Sequence, residues 1–79
     1  MNDKLKSVIA EVFGLKETEV HSQLTKEDVG SWDSLKQMDL VLTIEKEYSI
    51  SLEIPDIVRM VSVSEIMEVL LEKGVTLGD

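Results

Sequence analysis

Cysteine is absent from the chain, which excludes disulfides, zinc–thiolate sites and a cysteine nucleophile. One histidine, His21, is too few for a histidine cluster, and in the polar stretch TEVHSQ it reads as a solvated side chain. No apolar run approaches the roughly 20 residues needed to cross a bilayer. The N-terminal MNDKLKSVIAEVFG has its apolar positions interrupted by charge, unlike a secretory signal. A cytoplasmic protein without membrane association is therefore expected. No D-x-D-x-D-G run or comparable oxygen-ligand spacing is present, so no metal site is expected. Repeats and low-complexity tracts are also missing. Basic side chains are few, 8 against 16 acidic ones, for a formal charge of −8. Such a surface repels nucleic acid. It either steers basic protein partners or merely keeps a small protein soluble.

What remains is an ordinary globular composition, 43% hydrophobic and 30% charged over 79 residues. That length allows a single domain, residues 1–79, expected as a monomer. A chain so short buries only about 60–65% of its unfolded surface. It has no room for a deep enzymatic pocket beside its core.

Apolar periodicity predicts an all-α fold. Leu5, Val8, Ile9, Val12 and Phe13 lie on one helical face over residues 3–13, with Asp3 as N-cap and Gly14 beyond the end. In a second helix, residues 34–48, Leu35, Met38, Leu40, Val41, Leu42, Ile44 and Tyr48 sweep more than half the circumference. So wide an apolar face predicts a central helix packed by neighbours on several sides. The stretch YSISLEI alternates like a strand but has no partner strand, and reads as an extended connection. Pro55 suits the first turn of a short helix near 55–60. Ser62 and Glu65 form an S-x-x-E capping box before a last helix near 63–73, with Val63, Ile66, Met67 and Leu70 inward and Lys73-Gly74 at its end. The result is a small four-helix bundle, three longer helices and a short third one. Between Gly14 and Asp33 runs an unusually long loop. Val20, Leu24, Val29 and Trp32 are its expected anchors, and TKED its one helical turn.

The loop delivers Trp32-Asp33-Ser34-Leu35 to the second helix. Ser and Asp are favoured at helix starts because their oxygens satisfy free backbone N–H groups. Ser34, one of eight serines, is then either a cap or the seat of chemistry. One capping side chain suffices, and Asp33 can supply it. On the residues alone two readings stay open: a site of chemistry at the Ser34 hydroxyl, and a small acidic domain in which Ser34 is only a cap. No base is spaced to activate Ser34 and a single histidine makes no triad, so no catalytic residue is assigned and an enzyme is not expected.

The segment DVGSWDSLKQMDLVLTIEKEYSISL resembles the acyl carrier protein family, with its peptidyl and polyketide carrier relatives. Gly30, Asp33-Ser34-Leu35, the apolar series Met38, Leu40, Val41 and Ile44, then Glu45, Tyr48 and Ile50 carry the likeness. It continues through Met60, Ser62-Val63 and Ile66, and so spans nearly the whole chain. The resemblance implies a carrier with a 4′-phosphopantetheine arm from coenzyme A on Ser34, Asp33 in the modification signature, and Leu35 tucked inward to turn the hydroxyl out. A phosphodiester there suits the positive end of a helix. Acyl or aminoacyl groups then ride as thioesters between enzymes of fatty acid, polyketide or related specialised synthesis. The absence of cysteine fits, since no protein thiol can intercept a thioester by exchange.

The resemblance further implies two kinds of partner, a phosphopantetheinyl transferase and acyl-loading and acyl-transfer enzymes with basic docking patches. These are expected to meet Ser34, Lys36, Asp39, Thr43 and Glu47. From Ser34 to Glu47 three acids face two bases, Lys36 and Lys46, a net −1 that weakens steering relative to the total charge. Trp32 departs from the small residues common before D-S-L and resembles carriers of dedicated pathways. It is either the loop's core anchor or a contact for arm or partner. Ile57, Met60 and Met67 are either plain core or the lining of a shelter for acyl chains between the second and third helices.

Overall fold

The computed structural model describes residues 2–77. Its four helices are α1 (Asp3–Phe13), α2 (Ser34–Tyr48), α3 (Ile54–Arg59) and α4 (Val63–Glu72). They form an all-helical bundle close to that expected from periodicity. The apolar stripe of α1 is wholly buried at Leu5, Val8, Ile9, Val12 and Phe13. Its cap differs from expectation. The Asn2 side chain, not Asp3, accepts the Leu5 amide at 3.0 Å, and Asp3 becomes the first helical residue. Asn and Asp are equally good caps, so adjacent candidates are separated only by where the helical dihedrals begin. Gly14 ends α1 in the left-handed region, φ 67°, where a side chain would be strained.

α2 runs antiparallel to α1. At one end Lys4 donates its Nζ proton to the Glu47 carbonyl at 2.8 Å and stands 4.7 Å over the Tyr48 ring. At the other, Ser31 donates its hydroxyl proton to the Phe13 carbonyl, and the Phe13 and Trp32 rings stack at 4.6 Å. The expectation of an α2 enclosed on several sides is not met. Only Leu40, Val41 and Ile44 are buried, while Leu35, Met38 and Leu42 are exposed. The helix rests chiefly on α1. One stripe fills that contact, and the rest of the wide apolar face stays in water.

The long loop is pinned rather than loose. Val20, Leu24, Val29 and Trp32 are all buried, as their recurrence suggested. Two short 3-10 turns, Glu17–Glu19 and Lys26–Asp28, shape it, the second within TKED. Thr25 pairs with Ser62 in an isolated bridge, with the Lys26 amide on the Val61 carbonyl and the Val63 amide on the Leu24 carbonyl, both at 2.9 Å. The loop is thereby sewn to the start of α4. There the Ser62 hydroxyl accepts the Glu65 amide at 3.2 Å. Val63, Ile66, Val69 and Leu70 are fully buried behind it, and Met67 is half-buried.

α3 is held differently, because no residue of its six is buried. Lys73 of the α4 end meets Asp56 at 2.9 Å, and Arg59 meets Glu72 at 2.8 Å and Glu68 at 3.8 Å. The Glu53 amide and then the Lys73 ammonium hold the Asp56 carboxyl below its usual value. Glu72 is lowered chiefly by Arg59, and Lys73 is raised chiefly by its bond to Asp56. No helix among the described residues is long and apolar enough to cross a membrane.

Two outcomes follow from this packing. Leu40→Ala should cost about 2–5 kcal/mol of unfolding free energy, whereas Leu42→Ala, two residues on and exposed, should stay within about 0.5 kcal/mol. Denaturant titration of both checks it, and equal losses would contradict the single-stripe packing. Because Asp56 and Glu72 have lowered folded-state pKa values, their contribution is present at neutral pH and is lost as pH falls through those lowered values. Amide exchange of α3 should accelerate there before that of α1, and Asp56→Asn should blunt the acid response.

Candidate functional site

The residues before α2 descend through tight backbone turns: the Trp32 amide donates to the Val29 carbonyl and the Asp33 amide to the Ser31 carbonyl, each at 3.0 Å. Asp33 is extended and caps the helix, its Oδ1 accepting the Lys36 amide at 2.9 Å. The Asp33 carbonyl receives the Gln37 amide at 2.8 Å. Ser34 is thus the first helical residue, and the capping duty lies with its neighbour. Its side chain is exposed. The Ser34 and Leu35 amides open the helix with no acceptor inside it, at the positive end of the helix dipole.

Leu35 does not tuck inward. It is 80% exposed, because its direction is nearly opposite to Leu40 and Ile44 at about 100° per residue. The residue beside Ser34 is therefore an apolar surface group. Met38 and Leu42 continue it along the helix as a ridge, and on α3 Ile54 and Val58 are also exposed. The residue pattern held the signal for this ridge. The apolar arc of α2 was wider than one helix contact consumes.

The charged and polar candidates lie mostly beside the ridge. Thr43 and Glu47 line a groove of about 200 Å³ with Lys4, Ser7, Val8 and Glu11 of α1. Lys36 is half-buried on the same flank, about two turns before Thr43, and Asp39 is exposed between that flank and the ridge.

Trp32 is 3% exposed, so its ring is the loop's anchor. Its Nε1 proton goes to the Gln37 Oε1 at 2.6 Å, and the Gln37 Nε2 protons go to the carbonyls of Ile57 and Met60, both at 3.0 Å. Gln37 is the residue that sequence reasoning missed. Its polarity on a helix rich in apolar positions was the available clue.

Of the three residues considered for an acyl shelter, Met60 is fully buried and Ile57 half-buried beneath this contact. Met67 stands apart from that expectation. It lines a shallow groove of about 450 Å³ with Lys6, Val20, His21 and Ser22, between α1, the loop and α4. Period alone placed Met67 on the inner face of α4, but that helix touches two different neighbours. His21 is exposed there, its Nδ1 accepting the Gln23 amide at 3.2 Å.

Comparison with known proteins adds what side-chain geometry does not. A family model described as a phosphopantetheine attachment site matches residues 3–70. The chain is also similar to the acyl carrier protein of Thermotoga maritima, 30% identical over 70 residues that cover 89% of this chain and 86% of that one. Matched from the first turn of α1 to the end of the α4 core, the chain belongs to the acyl carrier protein family, phosphopantetheine-bearing carriers rather than enzymes.

Proposed function

We propose that Ser34 is the residue that bears the 4′-phosphopantetheine arm, and that the protein shuttles acyl or aminoacyl groups between enzymes of fatty acid, polyketide or related specialised biosynthesis. One observation carries the assignment. Asp33 caps α2 through the Lys36 amide, which leaves the exposed Ser34 hydroxyl with no structural duty at the helix start. The reading of Ser34 as a mere cap loses its support by the same bond.

The residues present fit the group. Attachment turns a neutral hydroxyl into a phosphodiester anion, and the open Ser34 and Leu35 amides at the positive helix end favour that charge. The Ser34 oxygen forms the new bond to phosphorus and gives up its proton. The pyrophosphate bond of coenzyme A breaks, and the nucleotide half departs. When bound, the arm supplies a terminal thiol that holds cargo as a thioester. Asp33 keeps the turn fixed meanwhile.

Partner enzymes meet the outer face of α2 in this reading. Leu35, Met38 and Leu42 offer an apolar strip, and Asp39, Lys36, Thr43 and Glu47 border it. Apolar contact at the centre with charge at the rim is the usual anatomy of a transient interface. A net charge of only −1 over this helix, against −8 for the chain, assigns more of the affinity to the apolar strip and less to long-range steering.

Two expected outcomes test this. Intact mass after incubation with a phosphopantetheinyl transferase, magnesium and coenzyme A should rise by one arm on the wild type and not on Ser34→Ala. Ser34→Ala should keep its stability, while Asp33→Ala should lose about 1 kcal/mol. A gain that persists in Ser34→Ala would refute the assignment. Charge reversal at Asp39 should slow cargo transfer to a basic partner without shifting the unfolding midpoint, and unchanged transfer kinetics would mean that docking uses another face.

A further inference from the structure

A primary amide has one acceptor oxygen and two N–H donors, and Gln37 uses all three. Its oxygen takes the indole proton of Trp32, two residues before Ser34. Its nitrogen gives one proton to Ile57 and one to Met60, at the end of α3. Its own backbone amide donates to the Asp33 carbonyl. Gln37 therefore closes a ring around residues 32–37 and then extends that ring to a neighbouring helix. Glutamate offers acceptors only, methionine neither kind of group at useful strength, and asparagine is a methylene too short for the same reach.

The ring matters because, apart from the contacts of Ser31 and Trp32 with Phe13, the bonds of the Ser34 turn are local. Trp32 is fixed on its other side by the Phe13 ring. α3 has no buried residue of its own, and the two Gln37 bonds tie its end to α2 beside its ion pairs to α4. Loss of the amide loosens the link between the turn and that end of α3, while the Asp33 cap and the ion pairs to α4 remain.

We propose that Gln37 is a positioning residue for the modification of Ser34: its amide joins the serine turn to α3, so that the placement of α3 sets the geometry in which the hydroxyl is presented. This rests on the assignment of Ser34 as the attachment residue. The chemistry needs the hydroxyl in line with phosphorus, and small misplacements of a reacting group cost rate rather than docking. The outer-face residues Leu35, Met38, Leu42 and Asp39 are untouched by the contact, so binding to the transferase is preserved when it is broken.

The test is a double-mutant cycle in the full chain. Trp32→Phe keeps the ring on Phe13 but removes the indole proton, and Gln37→Met removes the amide at similar length. With a phosphopantetheinyl transferase, magnesium and coenzyme A, each should lower kcat for modification about tenfold or more, with KM for the carrier nearly unchanged. The double variant should lose no more than the worse single one. A second readout is independent of modification. In Gln37→Glu the Trp32 acceptor remains and both donors to α3 are gone, so the emission of the sole tryptophan should stay close to wild type while α3 amides exchange faster. Independent, multiplying effects in the cycle, or an unchanged kcat, overturn the role of Gln37 alone. If Gln37→Met does not fold, Gln37→Glu decides: unaltered α3 exchange overturns the proposal, and faster exchange with lowered kcat upholds it. No mass gain on the wild type overturns the Ser34 assignment and this proposal with it.

Discussion

The hydrogen bond from the Lys36 amide to the Asp33 carboxylate is the constraint on which the site depends. It fixes where α2 begins, and with it the direction of each side chain down the helix. Beginning at Ser34 sets Leu40, Val41 and Ile44 against α1 and turns Leu35, Met38 and Leu42 to water. A start displaced by one residue would rotate the stripe by about 100° and leave the core contact unmade. The cap is held from behind by Trp32, whose ring is seated on Phe13 at the far end of α1. A core contact and a surface hydroxyl thus share one mechanical origin.

The long loop is what makes this possible. A segment of nearly twenty residues has little regular hydrogen bonding of its own, and its order comes from apolar plugs at Val20, Leu24, Val29 and Trp32. The two 3-10 turns between those plugs satisfy local backbone groups. Conformational freedom in such a loop opposes folding at about 1–2 kcal/mol per ordered residue. Burial of the four anchors works against that cost.

Much of this was legible in the chain, since period and burial are linked through simple geometry. The i, i+3, i+4 series of α1, the capping serine of α4 and the loop anchors all follow from that rule. The D-S-L stretch gave the start of α2 to the residue. Legibility failed wherever a choice depended on which neighbour arrived. Asn2 and Asp3 are interchangeable as caps until the first dihedral is known. Apolar character suggested that Leu35 and Leu42 would be covered, but not that both would be left in water. Met67 faced inward on α4 by period and found a groove beside α1 and the loop instead. Gln37 was passed over because a lone glutamine has no periodic signature, and its three partners are 5, 20 and 23 positions away.

The bridge between Thr25 and Ser62 has a mechanical corollary. With the Lys26 amide on Val61 and the Val63 amide on Leu24, the chain entering α4 is clamped to the loop, and Leu24 and Val63 themselves are anchored in the interior. Between the end of the third helix and that clamp stand only Met60 and Val61, a linkage two residues long. So short a coupling permits tilting and forbids long excursions. The end of the third helix is thereby kept within two residues of a fixed point in the core.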